Sequence, residues 1–221
     1  MIIAVAWVLA VTAHVPTVCI DPGHPSEVGQ GTEGRHVTEI HVAWVVAKKL
    51  EKLLVKKHFK VILTKHSENE FVKNVIRSKI ANNCHADLFV RLHCDSSRGS
   101  GFTTYYPDRQ GTSRGVTGPS LDLLKQLAPL AKRFHTALGM GLHGFLKDNG
   151  LKSDIYTAVG SKQGALTGSI FSKVPVVLVE MCVLTNRRDE QKVSSPSGQD
   201  RLAQALSEAI VTSLDRHAIR L

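Results

Sequence analysis

The sequence lacks several features that would place the chain in a specialised structural class. It has no run of about eighteen or more apolar residues, so a permanent membrane span is not expected. Its four cysteines form no CxxC pair, which excludes a zinc ribbon or a thioredoxin-like motif. It contains no internal repeat and no low-complexity tract, and only 5% of its residues are aromatic. This composition also excludes a collagen-like, coiled-coil or wholly disordered chain.

The main feature of the composition is a strong excess of basic over acidic residues. The 221 residues carry 28 Lys and Arg against 19 Asp and Glu, which gives a formal net charge of +9. Such a charge indicates an anionic partner, whether nucleic acid, a membrane surface or an acidic polymer, without choosing among them. The basic residues are scattered, and no nucleic-acid-binding motif is present, so we expect no nucleic-acid partner.

The first thirteen residues are apolar apart from Thr12, and they resemble the central region of a secretory signal peptide. Val11 and Ala13 supply the small residues of a cleavage site, although no Lys or Arg precedes the apolar run. The alternative is a buried first strand that leads into residues 18–20. We favour a signal peptide over residues 1–13, which predicts export and a single domain over residues 14–221.

The cysteines allow two redox states. An even number of them in an exported chain permits disulfides, and four cysteines allow three pairings. However, three of the four lie in or at the end of apolar, strand-like runs, where a free thiol behaves as a small buried hydrophobe. We therefore expect buried thiols at positions Cys19, Cys84, Cys94 and Cys182.

Strand and helix patterns alternate along the chain, which predicts an α/β layered domain. The predicted core strands cover residues 17–20, 60–64, 87–93 and 174–181, with a weaker strand at 102–106. The predicted helices cover residues 39–56, 74–83, 121–138 and 201–215. Residues 95–118, apart from the weak strand, and residues 187–199 are predicted to be loops because they are rich in polar and turn-forming residues.

Four side chains with metal-binding or acid–base chemistry stand at the ends of these elements. His24 follows the first strand, His93 ends the third, and Glu180 lies at the end of the last apolar run. Glu39 begins the first helix, where the helix dipole favours an anion. Ligand sites in α/β folds form outside the carboxyl ends of strands. Two imidazoles and one carboxylate can bind zinc and leave a fourth position for a water of pKa roughly 7, and a second carboxylate can move a proton.

The same residues carry a resemblance to a known family. Residues 19–24, Cys-Ile-Asp-Pro-Gly-His, resemble the opening motif of the zinc-dependent N-acetylmuramoyl-L-alanine amidases of the Amidase_3 type. The similarity extends from about Val18 to the last predicted helix. It includes Gly29, Gly31, Gly34, Glu39, the block 86–93, the strand 174–180 and the residues 184–190 that follow it.

The resemblance implies roles for individual residues. His24, Glu39 and His93 would bind one Zn²⁺ per chain, and Glu180 would be the catalytic carboxylate. It also implies a single three-layer domain, a mixed and mostly parallel sheet flanked by helices, of the phosphorylase/hydrolase-like kind. The reaction would be hydrolysis of the amide bond between N-acetylmuramic acid and L-alanine in peptidoglycan.

Other interpretations remain open at this point. Arg77 could contact substrate or form an ion pair with a nearby acid, and His36 and His41 are expected at the surface or behind the ligands. Asp21 is expected to organise its turn or to orient a ligand. The chain could instead cleave another amide, or bind peptidoglycan without catalysis. Attraction to anionic cell-wall polymers would account for the net charge of +9.

Overall fold

A computed structural model describes residues 14–215. The predicted signal peptide, residues 1–13, lies outside the described residues. None of the helices between residues 14 and 215 is long and apolar enough to cross a membrane.

A six-stranded sheet forms the middle layer of the domain, and a small hairpin stands apart from it. The strands are β1 (Thr17–Pro22), β2 (Lys60–Leu63), β3 (Leu88–Asp95), β4 (Phe102–Tyr106), β5 (Gly111–Ser113), β6 (Val116–Gly118), β7 (Asp148–Ser153) and β8 (Val176–Val183). The sheet order is β2-β1-β3-β8-β4-β7, while β5 and β6 pair only with each other. The first four strands of this order are mutually parallel, and β4, parallel to β7, runs antiparallel to β8. This confirms the predicted mixed, mostly parallel sheet.

Helices cover both faces of the sheet. They are α1 (Glu39–Lys56), α2 (Asn74–Asn83), α3 (Leu121–Leu142), α4 (Gly160–Gln163), α5 (Thr167–Ile170), α6 (Arg187–Ser194) and α7 (Pro196–Leu214). Side chains alternate along each strand, so Val18 and Ile20 enter the larger core with α1, α3 and α7, whereas Cys19 enters a smaller core on the face of α2. The result is the predicted three-layer α/β domain.

The predicted loop over residues 187–199 is wrong, because α6 occupies residues 187–194 and α7 begins at Pro196 rather than at residue 201. Capping explains both helices. The Asn186 side chain accepts hydrogen bonds from the backbone of Arg188 and Asp189, and Ser195 accepts one from Gly198. Proline at the first helical position suits α7, since its missing N–H would be unpaired there in any case. The polar composition therefore reflected exposure and capping rather than a loop.

Strand β7 was not predicted, and the hairpin of β5 and β6 lies within the predicted loop over residues 95–118. β7 is the outermost strand of the sheet, and most of its residues are only partly buried or exposed. An edge strand of this kind needs no apolar run, so its sequence does not carry the usual signal.

All four thiols are free. Cys19, Cys94 and Cys182 are buried, as predicted, whereas Cys84 is only half-buried at the end of α2.

Candidate metal centre

His24 lies in the turn that follows β1. Its φ of 49° places it in the left-handed region, which histidine tolerates better than branched residues do. Nδ1 lies 2.9 Å from the carbonyl oxygen of Gly29. Because a carbonyl can only accept, Nδ1 carries the proton and the lone pair of Nε2 is available to a metal.

Glu39 is the first residue of α1, and its carboxylate is buried and fixed from several sides. Oε2 accepts a hydrogen bond of 2.7 Å from the Thr32 backbone, and Oε1 accepts one of 3.1 Å from the Cys94 backbone. Burial alone would raise the pKa of Glu39, but the hydrogen bond from His93, the proximity of His24 and the hydrogen bond from the Thr32 backbone hold it below its ordinary value. Glu39 is therefore an ionised, preoriented oxygen donor.

His93 approaches Glu39 from the sheet. Its Nδ1 lies 2.9 Å from Glu39 Oε1, and the same oxygen lies 3.6 Å from His24 Nε2. Nε2 of His93 is buried and has no hydrogen-bond partner among the described residues. Burial lowers the pKa of His93, so the ring is neutral near pH 7, as a metal ligand must be.

The residues His24, Glu39 and His93 fit a metal ion. Each offers one ligand atom, and these atoms all lie within 4.8 Å of one another. Tetrahedral zinc sites with bonds of about 2.0–2.2 Å place neighbouring ligand atoms roughly 3.3–3.6 Å apart, and the 3.6 Å between His24 Nε2 and Glu39 Oε1 falls in this range. This group could hold a metal ion, and its composition matches catalytic rather than structural zinc sites.

Two glycines leave room for the ligand side chains. A Cβ on Gly23 would lie 2.5–2.8 Å from three atoms of the His93 ring. A Cβ on Gly31 would lie 2.7 Å from Glu39 Oε2 and 2.9 Å from the His24 ring, and its φ of 83° also favours glycine. Any side chain at these positions would displace a ligand.

Glu180 lies beside this group. It is the register partner of His93 on the neighbouring parallel strand β8, so both side chains leave the same face of the sheet. Its Oε2 is buried without a hydrogen-bond partner among residues 14–215. Burial, together with the charges of Glu39 and Asp95, raises the pKa of Glu180 well above its ordinary value. The four residues predicted as ligands and base therefore stand together.

The cleft over this group is built mainly from the loop before α1 and the end of β3. Its lining residues are His24, Val28, Gly29, Gln30, Gly31, Thr32, Glu39, Cys94, Asp95, Ser96 and Glu180.

Arg77 lies behind the group rather than in the cleft. It is 1% exposed, and its guanidinium donates to Asp21 at 2.6 Å and to the carbonyl oxygens of Pro22 and Pro25 at 2.7 and 3.0 Å. The ion pair that the sequence left open as an alternative is thus present. Arg91 completes it with a 2.8 Å hydrogen bond to the other Asp21 oxygen. Asp21 thus organises the turn that carries His24, through Arg77, which is the first of its two predicted roles.

Two buried acidic residues without a predicted role fix the segment before α1 and the ends of β4 and β8. Glu190 is 2% exposed, and its Oε1 accepts hydrogen bonds of 2.5 and 3.4 Å from the backbone of His36 and Val37, just before Glu39. Asp189 accepts bonds from Gly101 at 2.5 Å and from Val183 at 3.1 Å. The available signal was the pair of adjacent acidic residues in the first turn of α6.

His36 and His41, close to Glu39 in sequence, lie outside the group. Both are exposed, and His41 Nδ1 lies 3.1 Å from Glu68. Proximity in sequence to Glu39 therefore does not select the ligands.

Comparison with known proteins identifies the family of the chain. Residues 18–212 match the model of the N-acetylmuramoyl-L-alanine amidase family Amidase_3. Similar proteins include N-acetylmuramoyl-L-alanine amidase LytC of Bacillus subtilis, 28% identical over 89% of this chain and 35% of LytC. Another is AmiA of Escherichia coli, 27% identical over 88% of this chain and 75% of AmiA. The chain thus spans about a third of LytC.

Solved structures share the fold. The catalytic domain of the amidase CwlV from Bacillus (Paenibacillus) polymyxa var. colistinus is 27% identical, with a TM-score of 0.67 over 91% of this chain and 99% of that one. AmiC2 of Nostoc punctiforme is 22% identical, with a TM-score of 0.72 over 91% of this chain and 98% of that one, a likeness of fold alone. The family match covers most of the sequence and all four residues of the site. The chain therefore belongs to the N-acetylmuramoyl-L-alanine amidase family.

Proposed function

We propose that this chain is a zinc-dependent amidase that cleaves the bond between N-acetylmuramic acid and L-alanine in peptidoglycan. The observation that carries the proposal is the convergence of His24, Glu39 and His93 into one ligand group, with the unpartnered Glu180 carboxyl beside it. LytC, AmiA and CwlV, each named as an amidase of this specificity, are the relatives that support the substrate class.

His24, Glu39 and His93 would hold the ion, and a bound Zn²⁺ would supply a Lewis acid next to an acidic water. Two neutral imidazoles and one carboxylate leave the site a net positive charge when loaded. That charge suits the oxyanion that forms when an amide carbonyl is attacked.

Glu180 would transfer the proton from the water to the leaving nitrogen. Its Oε2 is free of hydrogen bonds from the protein, and the positive charge of a bound ion would favour its ionised form, so it could accept a proton from the attacking water as the oxygen bonds to the carbonyl carbon. It can then return that proton to the alanine nitrogen as the carbon–nitrogen bond breaks. The products are a muramyl carboxylic acid and a peptide with a free amino terminus.

Arg77 would act through the backbone rather than on the substrate. Its carboxylate and carbonyl partners at Asp21, Pro22 and Pro25 lie on both sides of His24. Lys65 adds a 2.6 Å hydrogen bond to the His24 carbonyl oxygen itself. These two cations would keep the His24 ring in its ligating position before the metal arrives.

Export and wall binding belong to the same proposal. Residues 1–13 would direct the chain out of the cytoplasm, to the cell wall that contains its substrate. The net charge of +9 would attract it to anionic wall polymers, and that attraction should weaken as salt screens the charges. Wall binding that is unchanged between low and high salt would contradict this part.

Digestion of purified peptidoglycan, with and without a chelator, tests the proposed reaction. We expect new amino-terminal L-alanine and new muramyl carboxyl groups, both lost with the chelator and restored by Zn²⁺. New termini elsewhere in the peptide would indicate a different peptidase. Binding without any new termini would indicate a catalytically silent wall-binding protein.

A further inference from the structure

A cavity of about 550 Å³ lies where α6 meets α7, beside the segment that follows α3. This basic cavity is lined by Phe145, Arg188, Gln191, Lys192, Ser195, Ser197, Gly198 and Arg201. Three of these residues are cations and none is acidic. The volume falls within the roughly 300–1,000 Å³ that is usual for ligand sites. The proposed amidase reaction uses none of the lining residues, so the basic cavity is available for another role.

The three cations of the basic cavity have no acidic partner. No ion pair in the described part of the chain includes Arg188, Lys192 or Arg201. Asp189 and Glu190 lie between the first two of these in sequence, but both are buried and accept hydrogen bonds from the backbone of other segments. Helix α6 therefore keeps its acids in the interior and places two of its cations on the cavity.

Two of the cations are held in place by neutral groups. Lys192 Nζ donates to the carbonyl oxygen of Phe145, and Arg201 Nη2 donates to the carbonyl oxygen of His143 at 2.8 Å. Both cations also lie over the Phe145 ring, at 5.6 and 5.1 Å from its centroid. Each side chain makes only that one hydrogen bond to the described residues, and an ammonium or guanidinium group has several N–H donors. The basic cavity therefore offers preoriented positive groups with donors to spare.

The rest of the lining also favours an anion. Arg188 is exposed and lies one turn before Lys192, so the two side chains share a face of α6. Ser197 and Gly198 belong to the first turn of α7, where the positive end of the dipole of this 19-residue helix adds to the field of the cations. Phe145 is the one aromatic residue of the lining, and both cations already engage its ring, so it is not a free platform for a nucleotide base. These features favour an anionic chain without bases.

We propose that the basic cavity binds the phosphate groups of an anionic cell-wall polymer, a phosphodiester chain such as poly(glycerol phosphate). Guanidinium groups bind phosphate oxygens through paired N–H donors, and the Lys192 ammonium adds a point charge. The cavity adjoins the candidate metal centre, because α6 follows the strand of Glu180 and its Glu190 is bonded to the segment before Glu39. A bound polymer would hold the chain on the wall beside its substrate. The choice of a wall polymer rests on the proposed function, whereas binding is measured without cleavage.

The test is titration of a fluorescently labelled poly(glycerol phosphate) oligomer with the full chain, followed by anisotropy at several salt concentrations. We expect saturable binding, and a slope of about −2 for the logarithm of the association constant against that of the salt concentration, since three cations would each contribute about −0.7. Unlabelled oligomer should displace the label at lower concentrations than single-stranded DNA of equal charge. The absence of binding, or displacement by DNA at equal or lower concentrations, would overturn the proposal.

Two charge-matched variants assign the binding to the basic cavity. Arg188→Gln removes an exposed cation of the lining, and we expect it to fold as wild type does, to weaken polymer binding by about 5–10-fold and to reduce the salt slope by about 0.7. Lys132→Gln removes an exposed cation of α3 outside the cavity and should change Kd by less than about twofold. Equal effects of the two variants would overturn the proposal, because binding would then follow net charge alone. The polymer contains no amide bond, so failure of the proposed amidase reaction would leave these binding results standing.

Discussion

His93 and Glu180 are register partners on two adjacent parallel strands, β3 and β8, and their side chains leave the same face of the sheet. The pairing fixes the proposed base next to a proposed ligand through backbone hydrogen bonds rather than through a flexible loop. The Glu180 carboxyl is left without a hydrogen-bond partner in the described part of the chain, whereas His93 Nδ1 contacts Glu39 at 2.9 Å. One residue of the pair thus belongs to the proposed ligand group, and the other is the proposed base.

Metal content distinguishes the proposed histidine ligands from the other histidines. We expect His24→Ala or His93→Ala to lose the bound Zn²⁺ and to lower activity by more than about a hundredfold, because two ligands no longer form a closed site. His41→Ala is the matched control, since His41 is exposed and contacts Glu68. Zinc per chain, measured by atomic emission after dialysis, checks the prediction. Unchanged zinc in His24→Ala would contradict the ligand assignment.

The glycine beneath His93 gives a second test of the site. Gly23→Ala would place a Cβ 2.5–2.8 Å from the His93 ring and force it to move. We expect zinc affinity to fall by roughly 10–100-fold, as for other changes that disturb ligand orientation. Gly99→Ala is the control, because its Cβ would approach only Ser97 Oγ, at 3.4 Å. Competition with a fluorescent chelator measures both affinities, and equal values would count against the packing argument.

Asp21 should be important for stability. Its carboxylate is buried between Arg77 and Arg91, whose side chains are 1% and 4% exposed. Although burial opposes ionisation, the two arginines and the Thr64 hydroxyl hold the pKa of Asp21 well below its ordinary value. Asp21→Asn leaves two buried cations without their counter-charge, so we expect a loss of about 3–5 kcal/mol in the free energy of unfolding. Urea denaturation measures it, with exposed Asp122→Asn as the control.

Asp154 should make the free energy of unfolding decrease as the pH rises. Burial raises its pKa from 3.8 to about 6, and its Oδ1 has no hydrogen-bond partner among residues 14–215. The folded chain therefore binds this proton more tightly than the unfolded chain. Its contribution is complete below pH 4 and is lost as pH rises through 6, a change of roughly 3 kcal/mol. The free energy of unfolding of Asp154→Asn, relative to wild type, should rise by about that amount between pH 4 and 7. A difference between the two proteins that does not change with pH would contradict the prediction.

The sequence was most informative where burial was strongest. The bounds of α1 and α2 were predicted correctly, and the core strands were found to within a few residues, because apolar periodicity dominates in those segments. It failed at α6 and α7, where the capping residues Asn186 and Ser195 lie in a polar stretch. It also failed at the edge strand β7, which has no continuous apolar run.

The candidate site divides in the same way. Strand ends and family motifs brought out His24, Glu39, His93 and Glu180. The supporting contacts were not visible, because they join residues far apart in sequence. Glu190 and the backbone of His36 are 154 positions apart. Only the folded chain shows which carbonyl or amide each buried charge reaches.

The most direct test of the central claim compares Glu180→Gln with wild type and with Glu208→Gln, an exposed glutamate on α7. Each protein is loaded with zinc, its metal content is measured, and release of peptides with amino-terminal L-alanine from peptidoglycan is followed over time. The account predicts one zinc per chain in all three proteins, full activity in Glu208→Gln, and a loss of about 10²–10⁴-fold in Glu180→Gln. Wild-type rates in a zinc-loaded Glu180→Gln protein would contradict it.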